Sequence, residues 1–217
     1  MRRPTPSTFG AALVATAFVL VLALYSRLAD PMPTHWNLAG DSDGYTPKPF
    51  GPFILPLVMA LVQLALQAVP HFMPGAFAEP TQRRLMGLVQ VSIVGFLFVV
   101  TLTSLAAGLG IPVSFNRVLT PALGLFMIAL GGMMRSLPRN AFIGIRTPWT
   151  LANDEVWRQT HAMGGRMFIL AGLVALIGGG MGLDLIPVLV ALGIAAVAPA
   201  VYSFRIYRKV AGMQAPK

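Results

Sequence analysis

The chain has 217 residues, 56% hydrophobic and only 11% charged, with a mean hydropathy of +0.73. Soluble domains carry about 25% charged residues, so an ordinary soluble globule is excluded and a membrane protein is indicated. The absence of cysteine rules out disulfides, thiolate chemistry and cysteine metal sites, while a net charge of +9 points either to nucleic acid or to membrane topology.

The first apolar run covers residues 9–28, about 30 Å as a helix and enough to cross a bilayer core. It is too long for a signal-peptide core and lacks a small-x-small cleavage site, which predicts a retained first span. A polar loop follows over 30–51. Its Pro and Gly content predicts ordered turns, with Asp43-Gly44 as a turn signal and Trp36 and Tyr45 at headgroup level. His35, Asp41 and Asp43 offer metal-type donors, but their spacing fits no calcium loop, so no metal is assigned.

Further apolar runs cover 53–69, 85–109, 118–134, 167–183 and 186–204, giving six spans. Pro56, Pro121 and Pro187 are predicted in first helical turns, where a missing N–H costs little. Pro199 lies inside the last span and predicts a kink. No Asp, Glu, Lys, Arg or His falls near the middle of any span, which argues against a proton-driven transporter. Gln63 and Gln67 share a helix face and are expected to bond between helices, and Gly178, Gly179, Gly180 and Gly182 are expected to permit close packing.

With the N-terminus inside, thirteen of the sixteen basic residues fall on the inner side and three on the outer. The positive-inside rule therefore accounts for the basic excess, and no direct nucleic-acid contact is predicted. Both termini and the segment 135–166 are expected to be cytoplasmic.

Residues 139–165 form the longest polar segment and hold two of the three tryptophans. Pro148 forces Thr147 toward an extended conformation. Asn153 is a helix N-cap, with Asp154 and Glu155 in the first turn. A short helix over 154–163 would set Trp157 and His161 on one face, and Gly164-Gly165 would end it. Trp149 and Trp157 read either as anchors at the membrane interface or as the aromatic centre of a docking surface. Arg146 is expected to pair with Glu155 or Asp154 and so fix the loop; the other arginines read as topology or lipid contacts. No Ser or Cys nucleophile accompanies His161 and Glu155, so His161 reads as structural, and no catalytic residue or cofactor is assigned.

Two motifs resemble known bacterial membrane families. Pro33, His35, Asn37, Gly40, Asp43, Gly44, Tyr45 and Lys48 are similar to the signature of a short membrane domain of unknown function. Arg139, Asn140, Ile143, Gly144, Ile145, Arg146, Thr147, Pro148, Trp149, Thr150 and Leu151, then Glu155, Val156, Trp157, Thr160, His161, Gly164 and Gly165, resemble the SdpI family. That resemblance implies a polytopic protein giving immunity to a secreted, membrane-active peptide toxin. For the founding type it also implies holding a transcriptional repressor at the membrane.

The expectation is thus an all-α protein with six transmembrane helices in the bacterial inner membrane, an N-terminal domain over 1–75 and an SdpI-like domain over 76–217. Its candidate residues are Arg139, Asn140, Gly144, Arg146, Thr147, Pro148, Trp149, Glu155, Trp157, Thr160, His161 and Gly165 in the inner loop. In the outer loop they are His35, Asn37, Gly40, Asp43, Gly44, Tyr45 and Lys48. Expected partners are the lipid bilayer, a peptide toxin and a cytoplasmic repressor. A channel or small-molecule exporter, and a membrane enzyme using the 139–165 loop, are the alternatives. Loop placement also suggests an inverted repeat of two three-helix halves.

Overall fold

The computed structural model describes residues 6–72, 78–141, 143–182 and 185–214. Each apolar run becomes a helix: α1 (Pro6–Leu24), α2 (Ile54–Phe72), α3 (Pro80–Gly108), α4 (Phe115–Met134), α6 (Asp154–Gly180) and α7 (Leu185–Gln214). All six are long and apolar enough to cross a membrane. A five-residue helix, α5 (Pro148–Ala152), lies between α4 and α6. Large apolar side chains such as Leu22, Leu61, Leu125 and Leu170 are more than half exposed, as expected of helix faces turned to lipid.

The loop over 30–51 departs from the all-α expectation in a minor way. It holds an antiparallel pair, β1 (Met32–Trp36) and β2 (Ser42–Thr46), with register irregularities around His35. Asp43-Gly44 is therefore not the turn. It lies in β2, with Gly44 opposite His35, whose Cβ would stand 2.7 Å from a Cβ at 44. The chain reverses at 37–41 instead. There the Asn37 side chain accepts from the Asp41 N–H (3.0 Å), and Gly40 takes φ +89°.

Pairing within the bundle is uneven. In the first half α1 packs chiefly on α3, whereas in the second α4 packs chiefly on α6, so the two halves pair their helices in a different order. The α4–α6 seam is the most intimate. A Cβ on Gly124 would lie 2.6 Å from the Gly172 carbonyl oxygen, and one on Gly131 would lie 2.6 Å from that of Gly165. The reverse contacts are equally short, so backbone meets backbone at seven-residue intervals on antiparallel helices.

This seam corrects two expectations. Gly164-Gly165 does not end a helix: α6 runs unbroken from Asp154 to Gly180. The cost of about 1 kcal/mol per helical glycine is offset by the close approach it permits. Pro121 is the seventh residue of α4, not a first-turn proline. Its ring is accommodated by Gly179, where a Cβ would come within 2.5 Å of Pro121 Cδ. Of the four glycines expected to pack closely, Gly180 faces open space, and Gly182 takes φ +78° just past the helix end.

In the first half, Gln63 donates to the Ser7 carbonyl (3.0 Å) and Gln67 to the Ser7 hydroxyl (2.5 Å), tying α2 to α1 as expected. Gly10 leaves room for the Gln63 amide.

Candidate functional site

The two motif regions sit at opposite ends of the bundle, and the loop between α4 and α6 is built around one imidazole. A 27-residue helix is about 40 Å long against a hydrocarbon core of about 30 Å, so α6 has turns to spare at its ends. Its first turns carry Val156, Trp157, Thr160 and His161, all buried. Trp157 and His161, one turn apart, stack with ring centroids 4.0 Å apart and planes 22° from parallel.

His161 has both nitrogens engaged. Nδ1 meets the Trp157 carbonyl oxygen at 2.9 Å, so it carries the proton and donates. Nε2 is then the acceptor and takes the Ile145 backbone N–H at 3.0 Å. This is a neutral imidazole in one fixed tautomer, buried to 1% exposure. Gly144 is required beside it twice over: φ is +111°, and a Cβ there would collide with Nε2.

The rest of the loop closes on itself. Asn140 accepts the Ile143 N–H (2.8 Å) and donates to the Pro138 carbonyl (2.9 Å). Thr147 caps α5 in a reciprocal box with Thr150, whose hydroxyl also donates to the Ile145 carbonyl at 2.8 Å. Pro148 stands at the first position of α5, after an extended Thr147 at φ −122°, ψ 160°. Asn153 accepts the N–H groups of Glu155 (2.9 Å) and Val156 (3.1 Å), as an N-cap should.

Both tryptophans act as internal ties. Trp157 is 2% exposed and donates to the Leu137 carbonyl at 2.9 Å, so it is not an interfacial anchor. Trp149 donates to Ser203 Oγ on α7 at 2.7 Å and meets the Phe204 ring edge-on at 5.2 Å. Sequence reasoning missed Ser203, a fully buried hydroxyl on α7.

The expected pairing of Arg146 is overturned. Arg146 donates to the Ala141 carbonyl at 2.6 Å, and its expected partners are taken. Glu155 holds Arg158 in a two-point contact three residues along the same helix, and also Gln159 at 2.6 Å. That local pair needs less chain ordering than a loop-to-helix pair. Asp154 pairs with Arg139 Nε at 2.6 Å, and Arg139 also donates to the Leu151 carbonyl. Thr160 is fully buried and its hydroxyl has no hydrogen-bond partner among the described residues, while Gly165 belongs to the α4–α6 seam. An apolar cavity of about 290 Å³ borders the loop, lined by Leu85, Leu130, Met134, Leu137, Ile145 and Phe168.

At the other end the hairpin is a docked platform. Lys48 Nζ donates to the carbonyls of Tyr25 (2.8 Å) and Leu28 (2.7 Å), in and just after the 3-10 turn Tyr25–Arg27 that follows α1, and stands 4.9 Å from the Tyr25 ring centre. Trp36 lies flat on Phe115 at 4.2 Å, and Asn116 donates to the Leu38 carbonyl at 2.8 Å beneath Gly40. Trp36 is thus committed to protein contact. Phe115 and Asn116, at the start of α4, were not singled out from sequence. His35 bonds Asp43 at 2.6 Å on the exposed face, and Tyr45 is 54% exposed with its hydroxyl on Ser42. Among the described residues no group of three His, Asp or Glu side chains could hold a metal ion.

Two family models match, in the order the motifs suggested. Residues 12–60 match a domain of unknown function, DUF1648, and residues 136–203 match the SdpI/YfhL protein family. The match to the SdpI/YfhL family thus lies C-terminal to the match to DUF1648. It is 25% identical over 162 residues to the immunity protein SdpI of Bacillus subtilis strain 168, an alignment covering 75% of each chain. No solved structure matches it. The six helices and this relative support a multi-pass bacterial membrane protein.

Proposed function

We propose that this SdpI-type protein protects its host from a secreted, membrane-active peptide, without catalysing a reaction. The similarity to an immunity protein over 75% of both chains carries this reading. The charge distribution supports cytoplasmic termini, an outward hairpin and an inward α4–α6 loop, because thirteen of sixteen basic residues then lie inside. On this orientation the exposed hairpin surface around His35, Asp43, Tyr45 and Phe50 meets the peptide from outside. The self-closed inner loop presents a rigid surface to a cytoplasmic repressor. A non-catalytic role fits the site chemistry: His161 has both nitrogens committed to backbone groups and its ring covered by Trp157.

Expression in a bacterium sensitive to secreted membrane-active peptides tests the proposal. Survival should rise, and Trp157→Ala or Arg146→Ala should reduce protection at equal membrane abundance. No protection against any member of a peptide panel, with the protein present in the membrane, refutes it.

A further inference from the structure

The α3–α4 face differs from the α4–α6 seam. These helices meet sparsely and leave a groove between the two halves of the molecule. Two cavities of about 470 and 240 Å³ follow it and share Ala129. One end is polar: Arg84, Thr81 and Ser136 are all exposed there, and no carboxylate among the described residues pairs with Arg84. Beyond them the walls are apolar except for Ser92, whose hydroxyl is bonded to the Leu88 carbonyl, with Leu88 and Ile128 first. Phe96 and Phe126 then stack across the groove at 5.5 Å. Gly132 and Gly95 face it with no atom near a would-be Cβ, so the space is open rather than packed.

We infer that this groove is a binding site for an anionic phospholipid, with its phosphate on Arg84 and the hydroxyls of Thr81 and Ser136 and one acyl chain laid between α3 and α4. From Arg84 to Phe96 is twelve residues, about 18 Å along the helix. One leaflet of a hydrocarbon core of about 30 Å is about 15 Å deep, so a single chain spans the groove from its basic mouth to the aromatic bridge. An unpaired guanidinium above an apolar channel is complementary to an anionic headgroup above a tail. The inference is independent of any toxin and of which side the loop faces.

The test is native mass spectrometry of the full chain, taken from detergent washed with equal phosphatidylglycerol and phosphatidylcholine. Wild type should retain one phosphatidylglycerol with about a fivefold preference, the worth of one basic side chain against an anionic headgroup. Arg84→Gln should keep a lipid but lose the preference. Gly132→Leu, which fills the groove from an open position, should lose the lipid, while Gly180→Leu should not. Helical content and monodispersity confirm that each variant is folded. Equal retention of both lipids by wild type overturns the inference, as does an undiminished preference in Arg84→Gln. Cross-linking of two copies through Leu125 in bilayers would also overturn it, since a second chain would then fill the groove.

Discussion

Gly144→Ala tests the reading of the loop most directly. The backbone at 144 has φ +111°, and a Cβ would collide with His161 Nε2, which accepts the Ile145 N–H at 3.0 Å. Holding a non-glycine residue there costs about 1–3 kcal/mol. Pushing the loop off the imidazole leaves a buried acceptor unpaired, at about 1–3 kcal/mol more. The expected loss is about 2–6 kcal/mol, read from unfolding in detergent followed by tryptophan fluorescence, with Trp157 against His161 as the reporter. Gly132→Ala is the paired control. Gly132 is helical with open space beside it, so a methyl group there should stabilise by about 0.5–1 kcal/mol. If Gly144→Ala falls within about 0.5 kcal/mol of wild type, as a neutral surface change would, His161 does not organise the loop.

Three further substitutions probe the other ties. Ser203→Ala removes the acceptor of the Trp149 indole and should cost about 1–3 kcal/mol, with faster amide exchange at residues 149–152; unchanged exchange there would show that α5 is held by ring packing alone. Asn116→Ala frees the Leu38 carbonyl and should cost about 0.5–1.5 kcal/mol, seen as quicker proteolysis at 37–41. Identical cleavage would mean that the Trp36–Phe115 stack suffices to dock the hairpin. Gly172→Leu places a side chain where a Cβ already meets the Gly124 oxygen at 2.6 Å, so folded protein should be lost, whereas Gly180→Leu should accumulate normally.

The six spans were legible because length and apolarity decide whether a segment can cross a bilayer, and neither depends on tertiary contacts. The cap at Asn153 and the shared face of Trp157 and His161 were legible for the same reason: both follow from helical spacing. The pairing of charges was not. Arg146 lies in the loop whose shape was to be explained, and its partner is a backbone carbonyl that no residue type announces. Asp43-Gly44 misled because a turn dipeptide also suits a bulged strand; what places the turn at 37–41 is the fit of Gly40 over Asn116, a residue 76 positions away from it in sequence.

The glycines show the same limit and a way past it. Gly164-Gly165 read locally as a helix stop, since two successive glycines weaken a helix wherever nothing rewards them. Residues 124 and 131, and 165, 172 and 179, are glycines at seven-residue spacing on adjacent spans, which sequence analysis did not exploit. Lipid supplies no hydrophobic drive to bring helices together, so backbone approach through small residues has to supply it. A glycine in a span therefore has to be judged with its neighbours one heptad away. Judged so, Gly165 belongs with Gly172 and Gly179 as the face that meets α4, and Gly95 and Gly132, with no such alignment, are left facing the groove that stays open.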